Sequence, residues 1–272
     1  MIRTVYAILA AGVFLAGCAT GAGTQGGGPA DTSRQLVRET VLEAGGEPYE
    51  IREFSYSPTG ELVEERLFDA SGQVREISSS VYNEGRRTER RSYAASGELL
   101  GRRTYTYTAK GLLESESFFD GEGRFLFVSR FSYNYWGDTI EWITTDAEGR
   151  LMAATHSTYE RGRARTITLS GAHGNETIVQ VGYDRDGRKV RETHDGGEEN
   201  QGKEILFYYD ERGRLAYEEV VSGFGNLLGR TVYVYTADNR QPDTIRLYDG
   251  RGNPRRTLIH EFALRPESGS SL

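Results

Sequence analysis

The 272-residue chain has a single cysteine, Cys18. Disulfide frameworks need cysteines in pairs, so no intramolecular crosslink is available. Histidine is equally sparse. His156, His173, His194 and His260 stand far apart, without the close pair spacings of metal sites, and read as turn or solvated-strand residues. There is no Gly-x-Ser-x-Gly elbow and no phosphate-cradling glycine loop. The acidic pairs Glu64-Glu65, Glu198-Glu199 and Glu218-Glu219 are poor glycosidase candidates, because adjacent strand residues point to opposite faces. These absences predict no enzyme, no metal site and no cofactor. A long apolar run is missing too. The stretch Ala7 to Ala16 falls well short of the roughly 20 residues that a membrane-crossing helix needs.

Charge and aromatic content bound what remains. Charged residues make up 27% and the net charge is −7, which argues against nucleic acid as a partner. Such polarity would suit a disordered chain, yet seventeen tyrosines and eleven phenylalanines are present. Disordered segments lack aromatics at that density, so a folded body is expected.

The first residues have the order of an export signal: Arg3, the apolar stretch Ala7 to Ala16, then Leu15-Ala16-Gly17-Cys18. That last tetrapeptide resembles the lipobox of bacterial lipoproteins. The resemblance implies removal of residues 1–17 and a diacylglyceryl anchor on Cys18, and Ala19 in place of aspartate implies sorting to the outer membrane. Residues 18–33 carry no apolar side chain larger than alanine until the body begins, and read as a glycine-rich tether. The folded body is expected over 34–265, with a disordered tail at 266–272.

Within the body, tyrosines recur at Tyr56, Tyr82, Tyr107, Tyr133, Tyr159, Tyr183, Tyr209 and Tyr235, a period of 24 to 26 residues. Each precedes a turn residue: Gly60, Gly85, Gly111, Gly137, Gly162, Gly187, Gly213 and Asn239. A second turn series interleaves at Gly46, Gly72, Gly97, Gly123, Gly149, Gly174, Gly225 and Gly252. One repeat is therefore two strands and two turns. Five turns share aromatic-Asp-x-x-Gly, as in Phe119-Asp-Gly-Glu-Gly123, where the aspartate caps a type I turn and the glycine takes the left-handed bulge position. The segment Leu99 to Ala109 recurs as Leu227 to Ala237, five repeats later.

Tyr209-Asp-Glu-Arg-Gly-Arg-Leu215 resembles the Tyr-Asp-x-x-Gly-Arg-Leu core of YD repeats in Rhs-type proteins. More loosely, the repeats from about Leu42 to Leu264 resemble the MORN class, without its extra glycines. YD arrays form hollow β-shells around a cargo, and this chain is short for one. The fold expected is all-β: an antiparallel meander of hairpins forming a long, curled, partly single-layer sheet. The segment between Gly85 and Gly97, polar on both alternating faces, argues for the single layer. A closed β-barrel is the alternative. A membrane-spanning barrel is not expected, since no outward apolar band is evident. Charges near both sheet edges, Arg38, Glu39, Arg255 and Arg256, read as edge guards and predict a monomer.

One basic cluster stands out. Arg86, Arg87, Arg90, Arg91, Arg102 and Arg103 lie on two consecutive strands, and pairing around the Gly97 turn brings Arg90 and Arg91 opposite Arg102 and Arg103. Like charges across a strand pair destabilise it, so either acidic neighbours such as Glu64, Glu65, Glu114 and Glu116 compensate, or an anionic partner does. Trp136 and Trp142 flank the Gly137 turn as a second binding candidate, and the tyrosine column reads as adhesive for a polar sheet. The resulting expectation is a non-enzymatic, lipid-anchored envelope scaffold for an unknown envelope protein or an anionic glycan. The alternatives are a glycan-binding or glycan-processing protein with a groove lined by both tryptophans and carboxylates, and an accessory of a YD-repeat toxin system.

Overall fold

A computed structural model describes residues 34–196, 202–236 and 239–265. The signal segment, Cys18, the tether, Glu198-Glu199 and the 266–272 tail lie outside the described residues. The described chain is a succession of strands: β1 (Arg34–Glu43), β2 (Pro48–Tyr56), β3 (Leu62–Asp69), β4 (Val74–Asn83), β5 (Arg86–Ala94) and β6 (Leu99–Tyr107). It continues through β7 (Leu113–Asp120), β8 (Phe125–Tyr133), β9 (Thr139–Asp146), β10 (Leu151–Glu160), β11 (Arg163–Gly171) and β12 (Glu176–Tyr183). The last six are β13 (Lys189–Asp195), β14 (Lys203–Tyr209), β15 (Leu215–Val221), β16 (Leu227–Val234), β17 (Thr244–Asp249) and β18 (Pro254–Leu264).

Every strand pairs antiparallel with its sequence neighbours, and β1 also pairs with β18 from Arg34↔Leu264 to Glu43↔Arg256. The sheet thus closes into an 18-stranded barrel. The hairpin meander and the single curled sheet are as expected, and its two ends meet, which is the closed alternative. Closure also corrects the edges: Arg38 lies within salt-bridge range of Glu53 on β2 (3.7 Å) and of Glu261 on β18 (3.8 Å). Charges read as guards of free edges span the seam instead.

The turns form as their chemistry dictates. In Asp120–Arg124, the Gly123 N–H donates to the Asp120 carbonyl (3.1 Å) while Gly123 sits at φ 84°. Asp120 Oδ1 accepts from the N–H groups of Glu122 and Arg124 (3.0 and 2.8 Å), and Oδ2 accepts from Arg124 Nε (2.6 Å). The same arrangement of Asp and Arg recurs at Asp146, Asp184 and Asp210. Most hairpins also carry a bulge beside the turn aromatic, as between Ser132 and Tyr133 or Phe118 and Phe119. Such bulges increase strand coiling, which a closing sheet requires.

All eight repeat tyrosines do the same work. Each hydroxyl donates to a carbonyl near the start of the preceding strand, from Tyr56 to Leu36 (2.8 Å) and Tyr133 to Leu113 (2.7 Å) through Tyr235 to Leu215 (2.9 Å). The column is the adhesive anticipated from sequence, and it marks one end of the barrel, the tyrosine rim. Both Arg34 and Leu264 lie at that rim.

The outward row Thr106, Ser115, Arg130, Ile143, Ala154, Ser170 and Glu176 drifts from the tyrosine rim to the opposite rim between β6 and β12. The strands are therefore steeply tilted. Eighteen strands about 4.8 Å apart and tilted by about 40° make a ring roughly 35 Å across and about 20 Å tall. About eight strands suffice to fill a barrel with side chains, and at roughly 16–18 an aqueous channel remains.

Candidate functional site: the inner wall

Strand alternation sorts the side chains into two faces, and exposure identifies them. On β12, Glu176, Ile178 and Gln180 are exposed while Val179 and Val181 are 4% and 5% exposed. On β10, His156 and Thr158 are exposed between the more covered Thr155, Ser157 and Tyr159. Directly paired residues share a face, so the assignment propagates around the ring. Side chains converge inside a closed wall and splay outside it, which makes the covered face the inner one. Val41, Val179, Val181 and Ile205 all point inward, and Val128 is the buried apolar residue that points outward.

The outer face is mixed. Its mid-strand positions hold Arg66, Ser79, Arg91, Arg102, Arg130, Gln180 and Arg230, set among Ile77, Phe119, Val128, Ile143 and Tyr217. A wall facing lipid carries an outward apolar band about 25 Å tall, and here Arg66, Arg91, Arg102, Arg130 and Arg230 interrupt the outward face at mid-strand. No helix among the described residues is long and apolar enough to cross a membrane.

The inner face divides into two arcs. From β8 to β12 the strand positions between the rims are uncharged: Phe127, Phe131, Trp142, Thr144, Ile167, Leu169, Val179 and Val181, with serine and threonine between. Phe118 stacks on Phe127 (centroids 4.0 Å apart) and Phe131 on Trp142 (6.4 Å). Ser129 and Thr144 share a buried hydroxyl hydrogen bond of 2.8 Å. The indole N–H of Trp142 is buried and has no hydrogen-bond partner among the described residues.

From β1 to β7 the inner face carries charges, paired within the wall. Arg52 Nη2 meets Glu50 at 2.7 Å, and His260 Nε2 meets Glu39 at 3.1 Å. Arg90 reaches across β4 to Glu65 at 2.8 Å. Arg103 lies 3.5 Å from Glu116 and covers the Phe118 ring at 4.6 Å. Arg87 donates to the Tyr82 hydroxyl from Nε (3.2 Å) and Nη2 (3.0 Å). Farther round, Lys189 and His194 flank Glu192 at 2.7 and 3.4 Å. Burial pushes the inward Glu218 carboxyl up from the usual glutamate range.

The basic cluster seen in sequence is thereby split. The register is as expected, with Arg90↔Arg103 and Arg91↔Arg102, yet the two pairs face opposite sides of the wall. Arg87, Arg90 and Arg103 point inward. Arg91 and Arg102 point outward to Glu89 (2.6 and 3.6 Å), and Arg86 lies at the tyrosine rim over the Tyr107 ring (5.9 Å). Acidic neighbours compensate the repulsion, as the ladder reading requires.

The two tryptophans are likewise separated. Trp142 lines the lumen, whereas Trp136 stands 82% exposed on a tyrosine-rim turn beside Tyr135 at 83%. A single groove lined by both indoles is not formed. The histidines divide too: His156 and His173 are exposed as anticipated, but His194 and His260 sit on the inner wall rather than in solvent. Sequence reading missed the lumen itself. The signal was present in the alternation of strands such as Glu176–Tyr183, but it acquires an inside only once the ring is closed.

Among the described residues no three His, Cys, Asp or Glu side chains converge on a metal-sized site. No family model and no curated protein matches the chain. Among solved structures, a porin-like protein from Bacteroides uniformis aligns over 84% of this chain and 96% of its own, with 12% identity and a TM-score of 0.44. Another porin-like protein, from Bacteroides vulgatus, aligns over 83% and 97% with 9% identity and a TM-score of 0.36. Likeness at this level does not bear on what this chain does.

Proposed function

We propose that the chain is a non-enzymatic, lipid-anchored protein of the bacterial envelope whose binding surface is the lumen of the barrel, and that its ligand is an amphiphile. One observation carries this reading: from β8 to β12 the inner wall is an uncharged arc of aromatic and aliphatic side chains, Phe127, Phe131, Trp142, Ile167, Leu169, Val179 and Val181, facing a wide interior. Apolar surface lining a water-filled space of this size is a binding surface in waiting. The uncharged β8–β12 arc suits an acyl or aromatic body, and the paired charges of the β1–β7 arc suit a polar head. The outward arginines that an external anionic partner would use, Arg91 and Arg102, are engaged with Glu89, which favours the lumen over an outer scaffold surface.

The chain has only two tryptophans, so Trp136→Phe leaves Trp142 as the sole indole. Titrating that variant with brominated fatty acids below their micelle threshold is expected to quench Trp142, with matching adducts in native mass spectra. Unquenched Trp142 and no adduct, combined with a protein crosslink at outward Arg102, would return the assignment to an external scaffold.

A further inference from the structure

We propose that the tyrosine rim is a membrane-contact surface, in which Tyr135, Trp136 and Lys110 seat the barrel on an anionic phospholipid bilayer with its axis across the membrane plane. The orientation rests on the lipid-anchor reading of Cys18. Two independent features point the same way. First, the chain enters and leaves at this rim: Arg34 pairs with Leu264, Gln35 donates to the Gly60 carbonyl (3.4 Å), and the Arg265 guanidinium donates to the Thr59 carbonyl on the same turn. Arg34 lies sixteen positions after Cys18, so an anchor there reaches at most about 55 Å, and of the two rims it is this one that the anchored segment joins directly.

Second, the Asn134–Asp138 turn projects an aromatic pair that nothing in the wall covers. Tyr135 and Trp136 are 83% and 82% exposed, and their rings meet edge to face at 6.0 Å. The turn beneath them is rigid, since Asn134 Oδ1 accepts the N–H groups of Trp136 and Asp138 at 3.0 and 2.9 Å. Tryptophan and tyrosine displayed in this way match the headgroup layer, where one end of the ring system is apolar and the other wet. The amine of Lys110, on the adjacent rim turn, lies 5.2 Å from the Tyr135 ring and adds a cation at the same spot.

The proposal needs no opening of the barrel and leaves the lumen free for ligand.

The test uses the mature chain with Trp142→Phe, so that Trp136 is the sole indole. It is prepared lipidated, and separately with Cys18→Ala. Each form is mixed with phosphatidylglycerol–phosphatidylcholine vesicles brominated at shallow acyl positions. The expected result is a blue shift and at least twofold quenching of Trp136 emission in either form. For the Cys18→Ala form, Lys110→Ala should weaken vesicle binding about fivefold, the factor set by about 1 kcal/mol per basic residue at an anionic surface. A control carries Phe224→Trp, on the opposite rim where Phe224 is 96% exposed, with both native tryptophans changed to Phe. It should remain unquenched. Trp136 emission unchanged in both forms, or equal quenching of the Phe224→Trp reporter, overturns the proposal. If the Cys18→Ala chain is quenched while mass analysis of the native protein finds Cys18 unmodified, the anchor reading fails and the rim contact stands.

Discussion

His260 offers the sharpest perturbation of the closing seam. Its side chain and that of Glu39 are 11% and 15% exposed, and they join β18 to β1 through an Nε2–Oε2 contact of 3.1 Å. The other ring nitrogen lies 3.0 Å from the Pro242 carbonyl. Both partners are acceptors, so both contacts are satisfied together only by the doubly protonated ring. Burial works against that charge, but the Glu39 hydrogen bond and the Pro242 carbonyl outweigh it and hold the His260 pKa above 6.5. A raised pKa contributes stability that is complete below the unfolded value and lost as pH rises through the folded one. A hydrogen bond to a charged group contributes about 1.5–3 kcal/mol. For a domain of this size, about 2 kcal/mol corresponds to roughly 4–8 °C in Tm. Thermal melts by circular dichroism from pH 5.5 to 9 should show the wild type losing stability across neutral to alkaline pH. His260→Gln should melt lower at pH 5.5 and converge on the wild type at pH 9. A constant gap between the two over the whole range would refute the protonated-seam reasoning.

Tyr133→Phe removes one rim bond to the Leu113 carbonyl (2.7 Å). It should cost about 1 kcal/mol, with faster amide exchange confined to the start of β7 and its neighbours. Glu65→Gln strands Arg90, whose side chain is 23% exposed. It should destabilise by about 1–2 kcal/mol, and the double change Glu65→Gln with Arg90→Met should recover most of the loss in chemical denaturation. The turn aspartates set the acid limit. Hydrogen bonds from the Asn253 side chain and backbone hold Asp249 down to about 2, and the side chains of Arg124 and Ser71 lower Asp120 and Asp69 in the same sense. A depressed pKa gives stability that is present above the unfolded value near 4 and lost as pH falls through the folded one. Melts between pH 5 and 2 should therefore steepen toward the acid end, and Asp249→Asn should flatten that part of the curve.

The hairpins were legible in the sequence because their determinants are local. Asp120 and Gly123 carry their own turn geometry, and the tyrosine spacing carries the register. Closure was legible only as the alternative, because no single residue encodes it: it is the sum of twist, bulges and tilt over the whole array. The polar strand between Gly85 and Gly97 pointed to a single layer, and the barrel wall is one. In a two-layer sheet its inward Arg87 and Arg90 would be buried without water. Against a wide lumen they need only Tyr82 and Glu65. The inner site was half visible. Trp142 and the arginines were found, but which side each faced depended on a ring that the strands form only together.

Since β1 meets β18 at the tyrosine rim, the two chain ends occupy the place where every other repeat has a turn. The molecule is topologically a necklace of nine hairpins, 18 strands, cut at one bead. A chain joined between Leu264 and Arg34 and reopened at the Gly111 turn should reach the same ring, so the order of repeats is a matter of genetic history rather than of folding. A gene that gains or loses one hairpin by recombination changes the bore of the ring in a step of two strands while keeping every pairing antiparallel. Lumen width is in this sense the trait most readily tuned by copy number.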